Sequence, residues 1–283
     1  MTRIKPFASL RPRAELVRKV AALPYDVFTR KEAEDEIANY PLSILRIDRP
    51  ETNFDESVSM YDDRVYAKAD ELLQEMVRRG ELLKEDKPCY YIYELTMDGR
   101  TQTGIVGCVA VEEYTSGKIR RHENTREEKE QDRIRHIDAT AAHTGLVFLA
   151  HRSNTTVKKI MEKTKESEEP LYDIRWHDGV RHRVFVVRDE KDIDNISFAY
   201  ANIPDAYIAD GHHRCAAAVE VARMRKEANP RWSGKEESNF FLAALFDEKD
   251  LSIQAYNRVV RDLNWLTPTK LLAAMEKNAT LLR

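Results

Sequence analysis

Apolar and polar residues along this chain follow two periods, and the changes between them predict alternating helices and strands. Apolar residues recur at helical spacing between residues 61 and 79, and Gly80 then offers a C-cap. Unbroken apolar runs at residues 146–149 and 240–245 are typical of buried strands. Together these patterns predict a mixed α/β (α+β) fold.

Two Asp-Gly dipeptides each separate two β-like runs and predict hairpins. The first, at residues 98–99, follows the run 90–95, and the second, at 178–179, precedes the run 184–187. Asp-Gly suits a type I′ turn, because both of its central residues need positive φ.

A capping box at Thr29 predicts a helix to about residue 39. A short strand is predicted at residues 43–46.

The elements divide into an N-terminal α/β segment, residues 1–113, and a second domain, residues 114–283. A chain of 283 residues is long enough for one large domain or two ordinary ones. The sequence ends at Arg283 directly after an apparent helix, without a recognisable closing element, which is typical of a truncated chain.

Composition and charge exclude several classes of protein. No run approaches the roughly 20 apolar residues of a membrane helix, and the N-terminus lacks the apolar core of a signal peptide. We therefore expect a cytoplasmic protein without a membrane partner. A net charge of −3, without a recognisable helix-turn-helix, argues against a nucleic-acid partner. The three cysteines are widely spaced, which argues against a zinc ribbon or a disulfide framework.

The main candidate for chemistry lies where the predicted strand at residues 206–209 runs into an alanine-rich helix. The residues at this turn are Asp210, Gly211, His212, His213 and Arg214. The first turn of a helix carries unpaired N–H groups and the positive end of the dipole, which favours an anion. A glycine allows close approach of the backbone, and an arginine offers a planar fork of donors. A solvated N-cap needs only the aspartate, so we interpret the turn as a phosphate site.

A metal ion is also expected at this turn. Asp210 would repel a phosphate unless a cation lay between them, which predicts Mg²⁺ at Asp210. Zinc is the rival, since Asp210, His212 and His213 are zinc-type ligands. Adjacent histidines on a helix rarely face the same point, so phosphate is the preferred ligand of the two histidines.

A charged segment, residues 118–135, is the second candidate. Its ordinary interpretation is a solvated helix surface. A packed helix should nevertheless show an apolar stripe, and residues 120–133 contain no apolar residue. A capping box at Thr125 would start the helix and leave His122 and Glu123 at a strand end. Glu123 could there act as a general base, and the residues alone leave both interpretations open.

The chain resembles an uncharacterised bacterial family related to the free serine kinases and, more distantly, to ParB and sulfiredoxin. The matching pieces span almost the whole sequence, at residues 4–7, 10–12, 24–27, 121–125, 208–214 and 256–260. Free serine kinases make O-phospho-L-serine from L-serine with a nucleotide as donor. The resemblance implies a ParB/sulfiredoxin-like core with a mixed sheet in residues 114–283. It also implies a small-molecule kinase with Glu123 and His122 in catalysis and Gly211, His212, His213 and Arg214 on the phosphates.

The resemblance further implies Mg²⁺ and ADP or ATP, or CTP as in ParB, with L-serine or a related hydroxyl compound as acceptor. Additional ligand contacts are expected from Arg121, Thr125, Asn257 and Arg258. The alternative function is a ParB-like nucleotide-binding regulatory module. Cys215 does not match the sulfiredoxin nucleophile, because a glycine precedes the histidine pair.

The N-terminal segment is the main departure from the compact serine kinases, which lack an equivalent. It could close over the site, alter the acceptor or mediate a homodimer. Residues 24–26, Pro-Tyr-Asp, could reach the site or form only a turn, and the turn is the preferred interpretation.

Overall fold

The computed structural model describes residues 2–253, 255, 257 and 259–280. Residues 1–251 form one compact unit and residues 252–283 a second. The strands, all in the first unit, are β1 (Ile4–Lys5), β2 (Leu10–Pro12), β3 (Leu82–Lys84), β4 (Tyr90–Met97), β5 (Arg100–Ala110), β6 (Ile119–Arg120), β7 (Val147–His151), β8 (Tyr172–Arg175), β9 (Arg181–Val187), β10 (Ala206–Asp210) and β11 (Phe240–Asp247).

The helices cover the sheet and fill the connections between strands. In the first unit they are α1 (Val17–Val20), α2 (Arg30–Asn39), α3 (Leu45–Asp48), α4 (Asp63–Arg78), α5 (Val111–Thr115), α6 (Glu127–Thr140), α7 (Thr155–Ser167), α8 (Glu190–Ala201) and α9 (His212–Ala228). The second unit contains α10 (Pro268–Met275). The mixed α/β class predicted from the sequence is confirmed. In the part of the chain that the structure describes, no helix is long and apolar enough to cross a membrane.

A mixed sheet organises the first unit. Its strand order is β6-β10-β7-β11-β5-β4-β9-β8, with β1 also paired to β5, and β2 and β3 form a separate ribbon. The pairs β6–β10 and β7–β11 are parallel, and the other pairs are antiparallel. Strand β4 pairs with β9, and strand β5 pairs with β11. The domain boundary predicted at residue 113 therefore falls between strands of one sheet.

Several turns and helix ends were predicted correctly from local sequence signals. Asp98 and Gly99 join β4 to β5 with φ of 50° and 77°, as a type I′ turn requires. Gly80 ends α4 with φ of 65°, and its N–H donates to the Val77 carbonyl at 2.9 Å. Thr29 forms the predicted capping box at the start of α2. The second hairpin, β8–β9, has a five-residue connection, residues 176–180, instead of a two-residue turn.

The strand predicted at residues 43–46 is wrong, because this segment enters helix α3. The Leu45 N–H donates to Ser43 Oγ at 3.2 Å, and the Ile44 N–H donates to the Val20 carbonyl at 2.8 Å. Leu45 and Ile47 are fully buried. A segment with only two apolar residues, Ile44 and Leu45, fits either period, and here the packing of α3 against α4 decides for the helix.

Helix α9 lies close to the sheet because its first turns carry small residues. Ala217 and Ala218 are buried, and Ala217 packs with Val221 against Ile134 and Ile137 of α6. Cys215 is buried in the main core, and burial raises the pKa of its thiol. The start of α9 is therefore held rigidly between the sheet and α6.

Candidate functional site

Two parallel strands bring the predicted site segments together. Strand β6 pairs with β10 in the register Ile119 to Ala206 and Arg120 to Tyr207. Because the carboxyl ends of parallel strands lie at the same edge, the loop after β6 lies beside the turn after β10. That loop carries His122 and Glu123, and the turn begins α9.

Gly211 forms the turn into α9. Its φ of 92° lies in the left-handed region, and a Cβ there would approach Arg214 Nε and Val147 Cα to 3.3 Å each. Only glycine fits this conformation without strain. The N-cap residue Gly211 has no side chain with which to cap α9, and the first N–H groups of a helix favour an anion.

His212 points toward the loop after β6. Its Nδ1 lies 3.3 Å from Glu123 Oε1, and its ring meets that of His122 edge-on with the centroids 4.5 Å apart. The side chain of His212 is 5% exposed, and burial lowers its pKa. The imidazole is therefore neutral near pH 7, and the approach to Glu123 is not an ion pair.

His213 has a structural partner that the sequence did not reveal. Its Nε2 accepts a hydrogen bond from the backbone N–H of Arg126 at 2.9 Å. Burial lowers the pKa of His213, which keeps this nitrogen available as an acceptor. The capping box predicted at Thr125 is wrong, since Arg126 is the N-cap of α6 and Thr125 Oγ1 donates to Glu130 instead, at 2.6 Å.

Arg214 connects the start of α9 to the sheet. Its Nη2 lies 2.6 Å from Asp210 Oδ2, and its Nη1 donates to the Leu146 carbonyl. The guanidinium is 18% exposed and balances the charge of Asp210. The repulsion that Asp210 would exert on a phosphate is thus offset by an arginine within the turn itself.

Arg121, Asn257 and Arg258 are the other ligand contacts that the resemblance predicts. The Arg121 guanidinium lies over the Tyr114 ring at 5.8 Å, and its Nη1 donates to the Tyr114 hydroxyl at 3.4 Å. Asn257 is exposed in the second unit, and Arg258 lies outside the described residues. Arg121 is thus held at the edge of the site by a tyrosine.

Two adjoining cavities lie between the N-terminal segment and α6, and we call them together the inner cleft. Their volumes are about 430 and 190 Å³, and both are lined by Tyr25, Asp48, Arg133 and His136. Arg214 borders the larger cavity, together with Tyr93. One wall comes from the N-terminal segment and the other from α6, so the N-terminal segment forms part of this cleft.

Polar groups of the inner cleft are unusually buried. Arg133 is 6% exposed, donates to Asp132 Oδ2 from Nε and Nη2 at 3.0 and 2.7 Å, and lies under the Tyr25 ring at 4.0 Å. His136 Nε2 lies 2.8 Å from the Ile47 carbonyl, and burial lowers the pKa of His136. Buried ionisable groups that line a cavity are typical of functional sites.

The sequence contained a signal for this cleft. Lys129, Asp132, Arg133 and His136 recur at helical spacing, so a polar stripe of α6 faces the interior. Interpreting residues 118–135 as a solvated helix surface does not predict this cleft. Tyr25 begins a short 3₁₀ helix, Tyr25–Val27, so residues 24–26 form a turn that also reaches the cleft.

A possible set of metal ligands differs from the one predicted. His122, Glu123 and His212 each offer a donor atom, and these atoms lie within 4.8 Å of one another. In the rival zinc set of Asp210, His212 and His213, Asp210 pairs with Arg214 and His213 accepts a hydrogen bond from the Arg126 N–H.

Comparison with known proteins gives a family for the chain. A family model described as "Protein of unknown function (DUF1015)" matches residues 4–282, and the chain belongs to this family. No curated protein and no solved structure matches it.

Proposed function

We propose that this member of the DUF1015 family is a nucleotide-dependent kinase that phosphorylates a hydroxyl group of a small molecule, with L-serine as the first candidate. The observation that carries the proposal is the 3.3 Å approach of Glu123 to His212, at a helix start whose N-cap is Gly211. A carboxylate thus lies beside a helix N-terminus, which favours phosphate. The resemblance of residues 121–125 and 208–214 to free serine kinases supports the same function.

The two sides of the helix start suggest two parts of the site. On the Arg214 side, the larger cavity of about 430 Å³ lies within the range of about 300–1,000 Å³ typical of small-molecule sites. Tyr25 and Tyr93 line it and offer rings against which a nucleoside can pack. On the His212 side, Glu123 is 54% exposed and accessible to an acceptor hydroxyl.

Glu123 is the proposed general base. Because His212 is neutral, the carboxylate beside it is not neutralised by an imidazolium and can take the proton of the attacking hydroxyl. Gly211 and the first N–H groups of α9 would hold phosphate oxygens, and Asp210 would contribute an oxygen ligand to Mg²⁺. The nucleotide with its Mg²⁺ supplies the phosphoryl group.

The test is product formation from L-serine. We expect O-phosphoserine when the chain is incubated with Mg²⁺, L-serine and ADP, ATP or CTP in turn, measured by mass spectrometry. Glu123→Gln should lower the rate by about 10²–10⁴-fold. The matched control is Glu127→Gln, an exposed glutamate in the first turn of α6.

Calorimetry separates the alternatives. Nucleotide binding that is retained in Glu123→Gln would place the defect in the chemical step. Nucleotide binding without any phosphorylated product, across a panel of hydroxyl compounds, would favour the ParB-like regulatory module. An unchanged rate in Glu123→Gln would remove this residue from its proposed role.

A further inference from the structure

We propose that His122, Glu123 and His212 bind a divalent transition-metal ion of the zinc class. Each side chain offers one donor atom, and the three atoms lie within 4.8 Å of one another. Two imidazoles and one carboxylate form a known ligand set of zinc sites that keep a fourth position open. Mg²⁺ prefers oxygen ligands, so this site is distinct from the Mg²⁺ of the proposed kinase and does not depend on that function.

One edge of the coordination sphere is already formed. His212 Nδ1 and Glu123 Oε1 are 3.3 Å apart. In a tetrahedral zinc site with bonds of about 2.0–2.2 Å, two ligand atoms lie about 3.3–3.6 Å apart. His122 is exposed on the loop after β6, and its ring already meets that of His212 edge-on. Completing the site requires adjustment of that one exposed side chain.

His212 is available as a ligand and fixed in position. Its Nδ1 has Glu123 as a close neighbour, and its Nε2 is buried without a hydrogen-bond partner among the described residues. The two nitrogens of one imidazole point in different directions, so Nδ1, beside Glu123, is the ligand atom that faces the ion. Because the residue sits in the first turn of α9, between the sheet and α6, the ring is held in place before any ion binds.

The neighbouring charged groups determine what completes the site. Asp210 is paired with Arg214, and His213 accepts from Arg126, so both have other partners as long as no anion draws Arg214 away. Glu123 contributes the only carboxylate among the three ligands. The ion would keep a net positive charge beside the positive end of α9, so the open position should take an anion such as hydroxide or phosphate.

Direct binding measurements on the full chain test the site. After dialysis against EDTA, titration calorimetry with Zn²⁺ should show one ion bound per chain. Co²⁺ should give the intense visible bands of a four-coordinate ion instead of the weak bands of a six-coordinate one. Glu123→Gln and His212→Asn should each weaken Zn²⁺ binding by at least about tenfold.

The control variant is His177→Asn, which changes an exposed histidine in the β8–β9 connection and should bind Zn²⁺ as the wild type does. Circular dichroism verifies that each variant is folded. Absence of Zn²⁺ binding to the wild type, or equal affinity in His212→Asn and wild type, would overturn the proposal. The kinase assay, run with Mg²⁺ alone after EDTA treatment, succeeds or fails independently of this result.

Discussion

The backbone N–H of Arg126 donates to Nε2 of His213, 87 positions further along the chain, at 2.9 Å. This hydrogen bond fastens the end of the loop after β6, and the start of α6, to the first turn of α9. The loop carries Glu123, so the same bond helps to set the position of the proposed base relative to His212.

Loss of this bond should reduce both stability and activity. His213→Ala removes the acceptor at the start of α6, and we expect a loss of about 0.5–2 kcal/mol in the free energy of unfolding, measured with urea. Activity should fall further than stability explains, because Glu123 is no longer fixed. His213→Asn, which keeps a side-chain acceptor, should recover part of both. Equal activity of His213→Ala and wild type would contradict this role.

Stability should depend on pH through the buried histidines. Burial lowers the pKa of His136, His143, His151 and His213. The folded chain keeps these imidazoles neutral, whereas the unfolded chain takes up protons below about pH 6.5. Their contribution is therefore fully present above that pH and is lost as the pH falls further. Urea unfolding at about pH 7.5 and pH 5.5 should show lower stability in acid.

The His213→Asn variant serves as the comparison for this pH dependence. It removes one of the titrating groups, so its stability should fall less between the two pH values than that of the wild type. A wild-type protein that becomes more stable in acid over this range would refute the argument.

Gly211→Ala should weaken nucleotide binding. A left-handed φ costs about 1–2 kcal/mol for a residue with a side chain, and the new Cβ would also approach Arg214 and Val147 to 3.3 Å. Gly234→Ala is the matched control, because Gly234 has φ of 82° but no atom within 4 Å of its added Cβ. Calorimetry should show weaker nucleotide binding for Gly211→Ala alone. If the two changes weakened nucleotide binding equally, backbone strain alone, and not the position of Gly211 at the helix start, would explain the loss.

Arg133→Met should damage the inner cleft. The change leaves Asp132 buried without its cationic partner, and breaking such a pair costs about 3–5 kcal/mol. The double variant Asp132→Asn, Arg133→Met removes that charge and should restore much of the stability. Nucleotide binding should stay weak in the double variant, as calorimetry would show. Arg223→Met, an exposed change on α9, is the control.

Zn²⁺ should inhibit the kinase reaction if both proposals hold. An ion at His122, Glu123 and His212 occupies the carboxylate that would take the acceptor proton. Adding Zn²⁺ in the presence of excess Mg²⁺ should therefore suppress O-phosphoserine formation, and His122→Asn should be less sensitive. Equal inhibition of that variant would place the inhibitory zinc elsewhere.

Local sequence signals predicted those elements whose conformation is fixed by neighbouring residues. The Asp98–Gly99 turn and the Thr29 capping box belong to this group. The capping box predicted at Thr125 was wrong, and the Arg126 N–H at the start of α6 instead donates to His213, a distant residue that no local pattern can indicate. The strand predicted at residues 43–46 was wrong because the helical and strand periods fit this segment equally well. Tertiary packing decides for the helix.

The candidate site was predictable only in part for the same reason. The glycine turn and its histidines could be identified from their order along the chain. The pairing of β6 with β10, which brings Glu123 to His212, is a tertiary contact. The inner cleft was missed because a charged stripe on α6 looks like a solvated surface until residues 24–48 are placed against it.

Arg214 couples the two sides of the helix start. Its guanidinium borders the inner cleft and at the same time pairs with Asp210. An anionic ligand that draws the guanidinium away would leave the Asp210 carboxylate able to accept a cation. Binding of anion and cation would then be cooperative, and thermodynamic linkage requires each to strengthen the other by the same factor.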